Sequence, residues 1–253
     1  DIEPQLPPNM MVVTITKQNF YRYESEVEVI PPEGPYVVFQ EVSIDDIAGG
    51  NGDGLMDYAE DILLDMTLKN VGVELSDNTT VSLTTEDDYI TIVNGTADFG
   101  TIDPNSTKTV DGAFEIEVAG NIPDNHNVAF EISASNGTDS WVSYFSLKAH
   151  APMLEVANIT VFDPTGNNNG NLDPGETAPV IITLVNNGGA PADNIQGTLT
   201  TSDPYLTIET TGSQNFGALN PGQTSTAGFT VTASASIPGG YLAEATLILT
   251  ADQ

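Results

Sequence analysis

The chain has no cysteine, only five basic side chains, two histidines and a single tryptophan in 253 residues. Without cysteine there is no disulfide, no zinc–thiolate site and no thiol nucleophile. The basic residues are set against 36 acidic ones, giving a formal net charge of −31. Such a surface repels phosphate backbones and anionic lipid heads, so neither a nucleic acid nor a membrane partner is expected. No run of about 18 apolar residues exists, so no membrane insertion is expected. The opening "DIEPQLPPN" lacks the basic start and apolar stretch of a signal peptide. A mature secreted product, or a segment of a longer protein, has this form. No apolar stripe at helical spacing is found either.

What is present is a foldable acidic chain. Charged residues are 16% of the total and apolar ones 39%, a balance that builds a packed core rather than a disordered acidic tail. The length suits two domains. A compact chain with this charge repels itself. Bound hard cations relieve that repulsion, and Asp, Asn and backbone carbonyls are the ligands they prefer. A halophilic acidic surface is the alternative.

The chain also repeats itself. "PYVVFQEVSIDD" (35–46) lies over "PMLEVANITVFD" (152–163), and "NGDGLMDYAEDILLDMTLKNVG" (51–72) over "NNNGNLDPGETAPVIITLVNNG" (167–188). Further matches run to "NIPDNHNVAFEISA" (121–134) over "SIPGGYLAEATLIL" (236–249). A duplicated module of about 115 residues suits one β-sandwich. Within each copy, apolar and polar residues alternate. Ile62, Leu64, Met66 and Leu68 form one row, and Phe114, Ile116 and Val118 another. Val128, Phe130, Ile132 and Ala134 form a third, and Val180, Ile182 and Leu184 a row in the second copy. Period two between Gly, Pro, Asn and Asp turns predicts antiparallel strands with one wet face.

The expected fold is all-β: tandem immunoglobulin-like antiparallel β-sandwiches, preceded by a terminal β-hairpin of a further sandwich. Residues 1–34 hold two strand-like runs that resemble 128–137 and 140–149, and are expected to be a preceding domain's closing hairpin or a donated strand segment. Residues 35–151 are expected to form the first sandwich. Residues 152–253 form the second, lacking its last strand.

Before the second strand of each copy the chain is rich in side-chain oxygen. Glycines between such residues let alternate side chains converge on one point, which is how proteins hold calcium. In the second copy the candidate ligands are Asp163, Asn167, Asn169, Asp173 and Glu176, with the carbonyl of Asn171. In the first they are Asp46, Asn51, Asp53, Asp57 and Glu60, with the carbonyl of Leu55, and Asp45 as a substitute for Asp46. This is not an EF-hand, because the closing acid comes too early and no helices flank it. Asn-Gly and Asp-Gly strings also build ion-free turns, but here oxygen ligands hold five aligned positions while the residues between them drift.

The stretch "GNNNGNLDPGET", followed by a strand and "NNGGAPADNI", resembles the Ig-like repeats of secreted Bacteroidetes proteins, found C-terminal to gingipain-type cysteine peptidase domains. The opening "VVTITKQNFYRYESEVEVIPPEGPYVVF" is similar to the end of the Ig-like domain that follows those catalytic domains. The first copy departs from the pattern, with "DYAED" in place of "DPGET", which puts its turn in doubt. The resemblance implies a non-catalytic, exported accessory region of a peptidase.

No enzyme signature stands against this. Gingipain-type chemistry needs a Cys–His pair. His126 lies in a turn and His150 in a linker, and no serine sits in a nucleophile elbow. "GGNGDG" precedes a strand rather than the helix that phosphate binding needs. Trp141 and Phe145 are expected in the core, and Tyr21, Tyr23 and Tyr144 at strand edges. The expected function is a calcium-binding extracellular or cell-surface spacer or adhesive module, with Ca2+ its only cofactor and neighbouring Ig-like domains of the same or another chain its partners. The alternative is a filament subunit that self-associates head to tail, by strand donation to the open edge of the second sandwich.

Overall fold

The computed structural model describes residues 9–18, 20–29 and 33–252. Every regular element among them is a β-strand. β1 (Asn9–Ile15) and β2 (Tyr23–Val29) form an antiparallel hairpin that pairs with no other strand among the described residues. The remainder is two units, each built of two sheets around its own core.

The first unit runs β3 (Val37–Asp45), β4 (Met56–Asp57), β5 (Asp61–Asn70), β6 (Ser76–Thr84), β7 (Ile90–Asn94), β8 (Thr96–Ile102), β9 (Thr107–Val118), β10 (Asn127–Ser135) and β11 (Ser140–His150). One sheet has the order β3-β5-β9-β7 and the other β4-β11-β10-β6-β8. The alternation that marks β5 in the sequence is its buried face: Ile62, Leu64, Met66 and Leu68 are all fully enclosed, each stabilising the fold by about 2 kcal/mol. They meet Phe114, Ile116, Phe130 and Ile132 from the other strands. Trp141 is buried, and Phe145 stacks between Phe39 and Phe130 at centroid distances of 5.1 and 5.0 Å. Tyr21, Tyr23 and Tyr144 are exposed.

The second unit runs β12 (Leu154–Val161), β13 (Thr177–Asn186), β14 (Ala192–Thr200), β15 (Leu206–Ile208), β16 (Gln214–Leu219), β17 (Thr224–Ala233) and β18 (Thr246–Asp252). Its sheets have the orders β12-β13-β17-β15 and β16-β14-β18. The core gathers Ile182, Leu184, Ile195, Phe216 and Phe229. β18 pairs with β14 on one side and with nothing among the described residues on the other. An apolar cleft of about 620 Å³ enters the core there, lined by Val156, Ile159, Leu199 and Leu247 among others. In the first unit β11 lies beside β10, the strand that occupies the place of β18.

Each unit is clasped to the segment before it by a buried asparagine. Period two along β5 brings Asn70 to the inward face, where it is fully buried. Its Oδ1 accepts the amides of Tyr36 and Gly72, at 3.0 and 2.9 Å, and its Nδ2 donates to the carbonyls of Glu74 and Ile102, at 2.8 and 3.0 Å. Asn186 does the same in the second unit. It accepts from Met153 and Gly188, both at 3.0 Å, and donates to Ala190 and Leu219 at 2.8 and 2.9 Å. All four hydrogen-bonding positions of each amide group are used, as burial requires. A Cβ on Gly72 or Gly188 would strike the backbone of the preceding segment, at Gly34–Tyr36 or Ala151–Met153, so only glycine admits that close approach.

Candidate metal-binding loops

The two loops share one backbone. Positive φ occurs at Gly52, Gly54 and Ala59 (78, 78 and 58°) and at the aligned Asn168, Gly170 and Gly175 (57, 75 and 80°). "DYAED" therefore makes the same turn as "DPGET", with Ala59 held in the left-handed conformation that Gly175 adopts without strain.

The hydrogen bonds match as well. Asp46, which is buried, accepts the amides of Gly52 and Asp53 on Oδ2, at 2.9 and 3.0 Å, and that of Gly54 on Oδ1, at 3.1 Å. Asp163, also buried, accepts Asn169 and Gly170 at 3.1 and 3.2 Å. Side-chain oxygens then step along the loop: Asn51 accepts the Asp53 amide and Asp53 that of Leu55, both at 2.9 Å. In the second loop Asn167 accepts from Asn169 and Asn169 from Asn171, at 3.0 and 2.7 Å. The closing glutamates accept the amides of Asp57 (3.2 Å) and Asp173 (3.0 Å). Their own carbonyls accept Val118 and Ala233, each at 2.8 Å, which ties the loops to β9 and β17. Gly50 and Gly166 leave room for the Glu60 and Glu176 carboxylates, which a Cβ at either position would displace.

The expected ligands thus gather in two loops, yet they do not surround one point. No three acidic or histidine side chains among the described residues meet closely enough to hold one ion. In the first loop they divide between two faces. Asp46 and Asp53 line one cavity with Asp45 and Asp65, while Asn51, Asp57 and Glu60 line another of about 360 Å³. The oxygens are turned onto backbone amides, and the Asn51 and Asn167 amide nitrogens donate to Asp57 and Asp173 at 2.9 and 2.6 Å. The Leu55 and Asn171 side chains are exposed.

The electrostatics of the first loop are severe. Asp57 is 2% exposed and Glu60 6%. No lysine or arginine among the described residues pairs with either; Arg22 pairs with Glu24, at 3.3 Å. Burial, reinforced by the charges of Asp53 and Glu60, pushes the Asp57 carboxyl up to about 7, opposed by the hydrogen bond from Asn51. Burial also raises Glu60, against the amides of Asn51 and Asp57. Asp57 Oδ1 is enclosed and has no hydrogen-bond partner.

β4 pairs in parallel with the end of β11, Asp57 beside His150, and the Tyr58 amide donates to the His150 carbonyl at 2.9 Å. The first loop is thereby fixed against the segment leading into the second unit. Tyr58 reaches across: its hydroxyl lies 3.4 Å from the carbonyls of both Pro191 and Asp252. Its phenol is pushed up by burial and then by the charge of Asp193. On the same side Asp124 Oδ1 accepts the amides of Ala151 and Gly189, at 3.1 and 3.0 Å.

No protein-family model matches the chain, and no curated protein matches it in sequence. Among solved structures, it is similar to the secreted serine protease VesC from Vibrio cholerae at 14% identity and a TM-score of 0.27, over 85% of this chain and 50% of that one. The native conformation of alpha-2-macroglobulin from E. coli is similar at 12% identity and a TM-score of 0.29, over 91% of this chain and 18% of that one. A protein of unknown function from Porphyromonas gingivalis W83 is similar at 11% identity and a TM-score of 0.24, over 71% of this chain and 78% of that one. The chain therefore spans half the length of the Vibrio structure and under a fifth of the macroglobulin. None of these likenesses carries an argument about function.

Sequence reasoning missed three features. Tyr58, Asp193 and Asp252 carry no motif, because they meet only through the packing of one unit on the other. The Asp87–His126 contact, 2.7 Å between Oδ2 and Nε2, joins residues 39 apart in the chain. The paired asparagines had a visible signal: Asn70 and Asn186 continue the inward rows 62-64-66-68 and 182-184, and both stand two residues before a glycine.

Proposed function

We propose that the protein is a non-catalytic, calcium-binding extracellular spacer of tandem immunoglobulin-like sandwiches, an accessory region of a secreted or cell-surface protein. One observation carries the metal assignment. The first loop buries Asp46, Asp57 and Glu60 with no cationic side chain paired to them among the described residues, and leaves Asp57 Oδ1 without a hydrogen-bond partner among those residues. Enclosing carboxylates costs several kcal/mol per charge unless something compensates, and a divalent cation is the compensation this composition allows. The donor set is oxygen only, mixing carboxylate, amide and carbonyl groups on a glycine-spaced loop, which fits calcium better than zinc or copper. Asp57, Glu60 and Asn51 would hold it in the first loop, with Asp173, Glu176 and Asn167 their equivalents in the second. A bound ion supplies the positive charge that these carboxylates lack and displaces any proton that Asp57 retains.

Binding to the folded state alone stabilises it by about 2.7 kcal/mol at a hundredfold excess of ligand over Kd. Calcium is expected to raise the melting temperature, EDTA to lower it, and Glu176→Ala to remove part of the response. A melting curve indifferent to both calcium and EDTA would leave the loops as plain turns.

A second reading is favoured by the unpaired side of β18 and the cleft of about 620 Å³ behind it. A strand with alternating apolar side chains fits that edge, and β1 of another copy would make the protein a filament subunit. A mass that rises with concentration, and stops rising when residues 1–34 are removed, is the signature of this arrangement. A chain that stays monomeric at high concentration rules it out.

A further inference from the structure

The two units differ at one sheet edge. In the first, β10 has β6 on one side and β11 on the other. In the second, β18 takes the place of β10 and pairs with β14 alone among the described residues. β10 begins at Asn127, whereas β18 begins only at Thr246, although Leu242 is the residue aligned with Asn127. Residues 242–245 are exposed, Leu242 to 90%. β11 shows what such an edge receives. Its Phe145 stands opposite Phe130 and stacks between Phe130 and Phe39, and its Leu147 stands opposite Val128. Ser143 Oγ accepts the Phe39 amide at 3.3 Å, which ties β11 across to the other sheet. In the second unit the residues aligned with Phe39 and Phe130 are Val156 and Ala245, and those aligned with Val42 and Val128 are Ile159 and Ala243. All four line the cleft of about 620 Å³. Val156 and Ile159 are 47% and 58% exposed, where Phe39 and Val42 are half-buried. The cleft is therefore the place that Phe145 fills in the first unit, widened by two alanines.

We propose that this cleft and the β18 edge bind an extended segment of a partner polypeptide, laid antiparallel to β18, with an aromatic side chain opposite Ala245 and an aliphatic one two residues on, opposite Ala243. Main-chain hydrogen bonds to the free edge supply affinity, and the seat for the aromatic ring supplies selectivity. Charge decides between partners. The chain carries a net charge of −31, and Glu155 on β12, Glu244 beside β18 and Asp252 on β18 are exposed. A second copy would bring the same charge against this edge, so a neutral or basic segment is the better occupant. β11 itself has that character, with Lys148 as its single charged residue apart from His150. The inference rests on the reading of the β18 edge as open to strand addition, but not on the calcium sites, and it gives the edge an occupant other than β1 of another copy.

A fluorescently labelled peptide with the sequence of β11, Ser140–His150, is the probe, titrated against the full chain and followed by anisotropy. Saturable binding is expected. Phe145→Ser in the peptide is expected to weaken it on the order of tenfold, through the lost burial of the ring. Ala245→Asp in the protein is expected to do the same, by setting an unpaired charge in the cleft. Ala245 is exposed, so the fold tolerates that substitution, and an unchanged melting temperature checks it. Binding that neither substitution weakens would place the peptide elsewhere and overturn the aromatic seat. If the peptide does not bind and the chain's mass rises with concentration, the edge takes a second copy; the partner assignment then falls while the filament reading stands. If the peptide does not bind and the chain stays monomeric, both fail.

Discussion

The two oxygen-rich loops are one backbone in two settings. Left-handed residues, carboxylate caps and closing glutamates recur at matching positions. In the first loop Asp57 and Glu60 are buried, while Asp173 and Glu176 are half-buried. The loop itself does not create that difference. It goes with three differences in setting: β4 pairs with β11, Asp57 beside His150, a pairing without a counterpart among the described residues of the second unit; Tyr58 stands where the second copy has Pro174; and the second unit lies over the Asp57 face. A repeated motif therefore carries its shape from copy to copy, but its charge state follows its neighbours.

The largest effect tests whether the two units depend equally on their shared scaffold. Asn70→Ala leaves two amides and two carbonyls without their partner, the Gly72 amide and the Ile102 carbonyl in buried bonds, and Asn186→Ala does the same to the matching four, of which the Gly188, Ala190 and Leu219 bonds are buried. Unsatisfied buried groups cost about 1–3 kcal/mol each, so each variant is expected to lose about 4 kcal/mol in denaturant unfolding. Similar losses keep the units equivalent at this level. A loss below about 1 kcal/mol at one site would show that its clasp is ornamental.

A smaller effect separates the loops by sign. In EDTA, Asp57→Asn is expected to raise the melting temperature, because a neutral amide replaces a buried acid. Asp173→Asn, half-buried and already taking amides from Asn167 and Asn169, should change it far less. In saturating calcium the sign at Asp57 reverses, since a ligand has been removed. Acidity sharpens the contrast. Asp57 stands at about 7 in the fold against about 3.9 unfolded, so the folded state binds the extra proton between those values. The resulting stability is complete below pH 4, declines as pH rises toward 7 and is flat above. Glu60 is raised too and adds the same sign. Cation-free protein should melt lower at pH 7.5 than at pH 5, and Asp57→Asn should shrink that difference. Equal melting at both pH values, with Asp57 present, would mean that the carboxyl is not destabilised by its surroundings.

The strands were legible because a sheet with one buried face imposes period two, and Ile62 to Leu68 obey it without exception. The loops were legible because shared residues sit at shared spacing. Their internal wiring was not: an oxygen that suits a cation suits a backbone amide equally well, and spacing does not distinguish the two. The split of the first loop's acids between two cavities arises in three dimensions, as does the approach of Asp193 and Asp252, which stand 133 or more residues beyond the loop's last ligand, Glu60.

The smallest effect makes the loops trade one of their backbone differences, Ala59 against Gly175. Gly175→Ala puts a Cβ on a residue with φ of 80°, where the new carbon meets Ala235 at 3.5 Å, an ordinary contact. Backbone strain alone then costs about 1 kcal/mol. Ala59→Gly relieves the same strain at φ of 58°, partly offset by the greater freedom of glycine in the unfolded chain, for a net gain of about 0.5 kcal/mol. Equilibrium unfolding of the two variants should therefore move in opposite directions. Ala59 differs from Gly175 in one further respect: it lines the cavity of about 360 Å³ that Pro191 and Asp193 of the second unit also line. Should Ala59→Gly lower stability instead, its methyl contributes more by packing at that junction than its backbone loses, and the boundary between the units, rather than the loop, decides which residue belongs at this position.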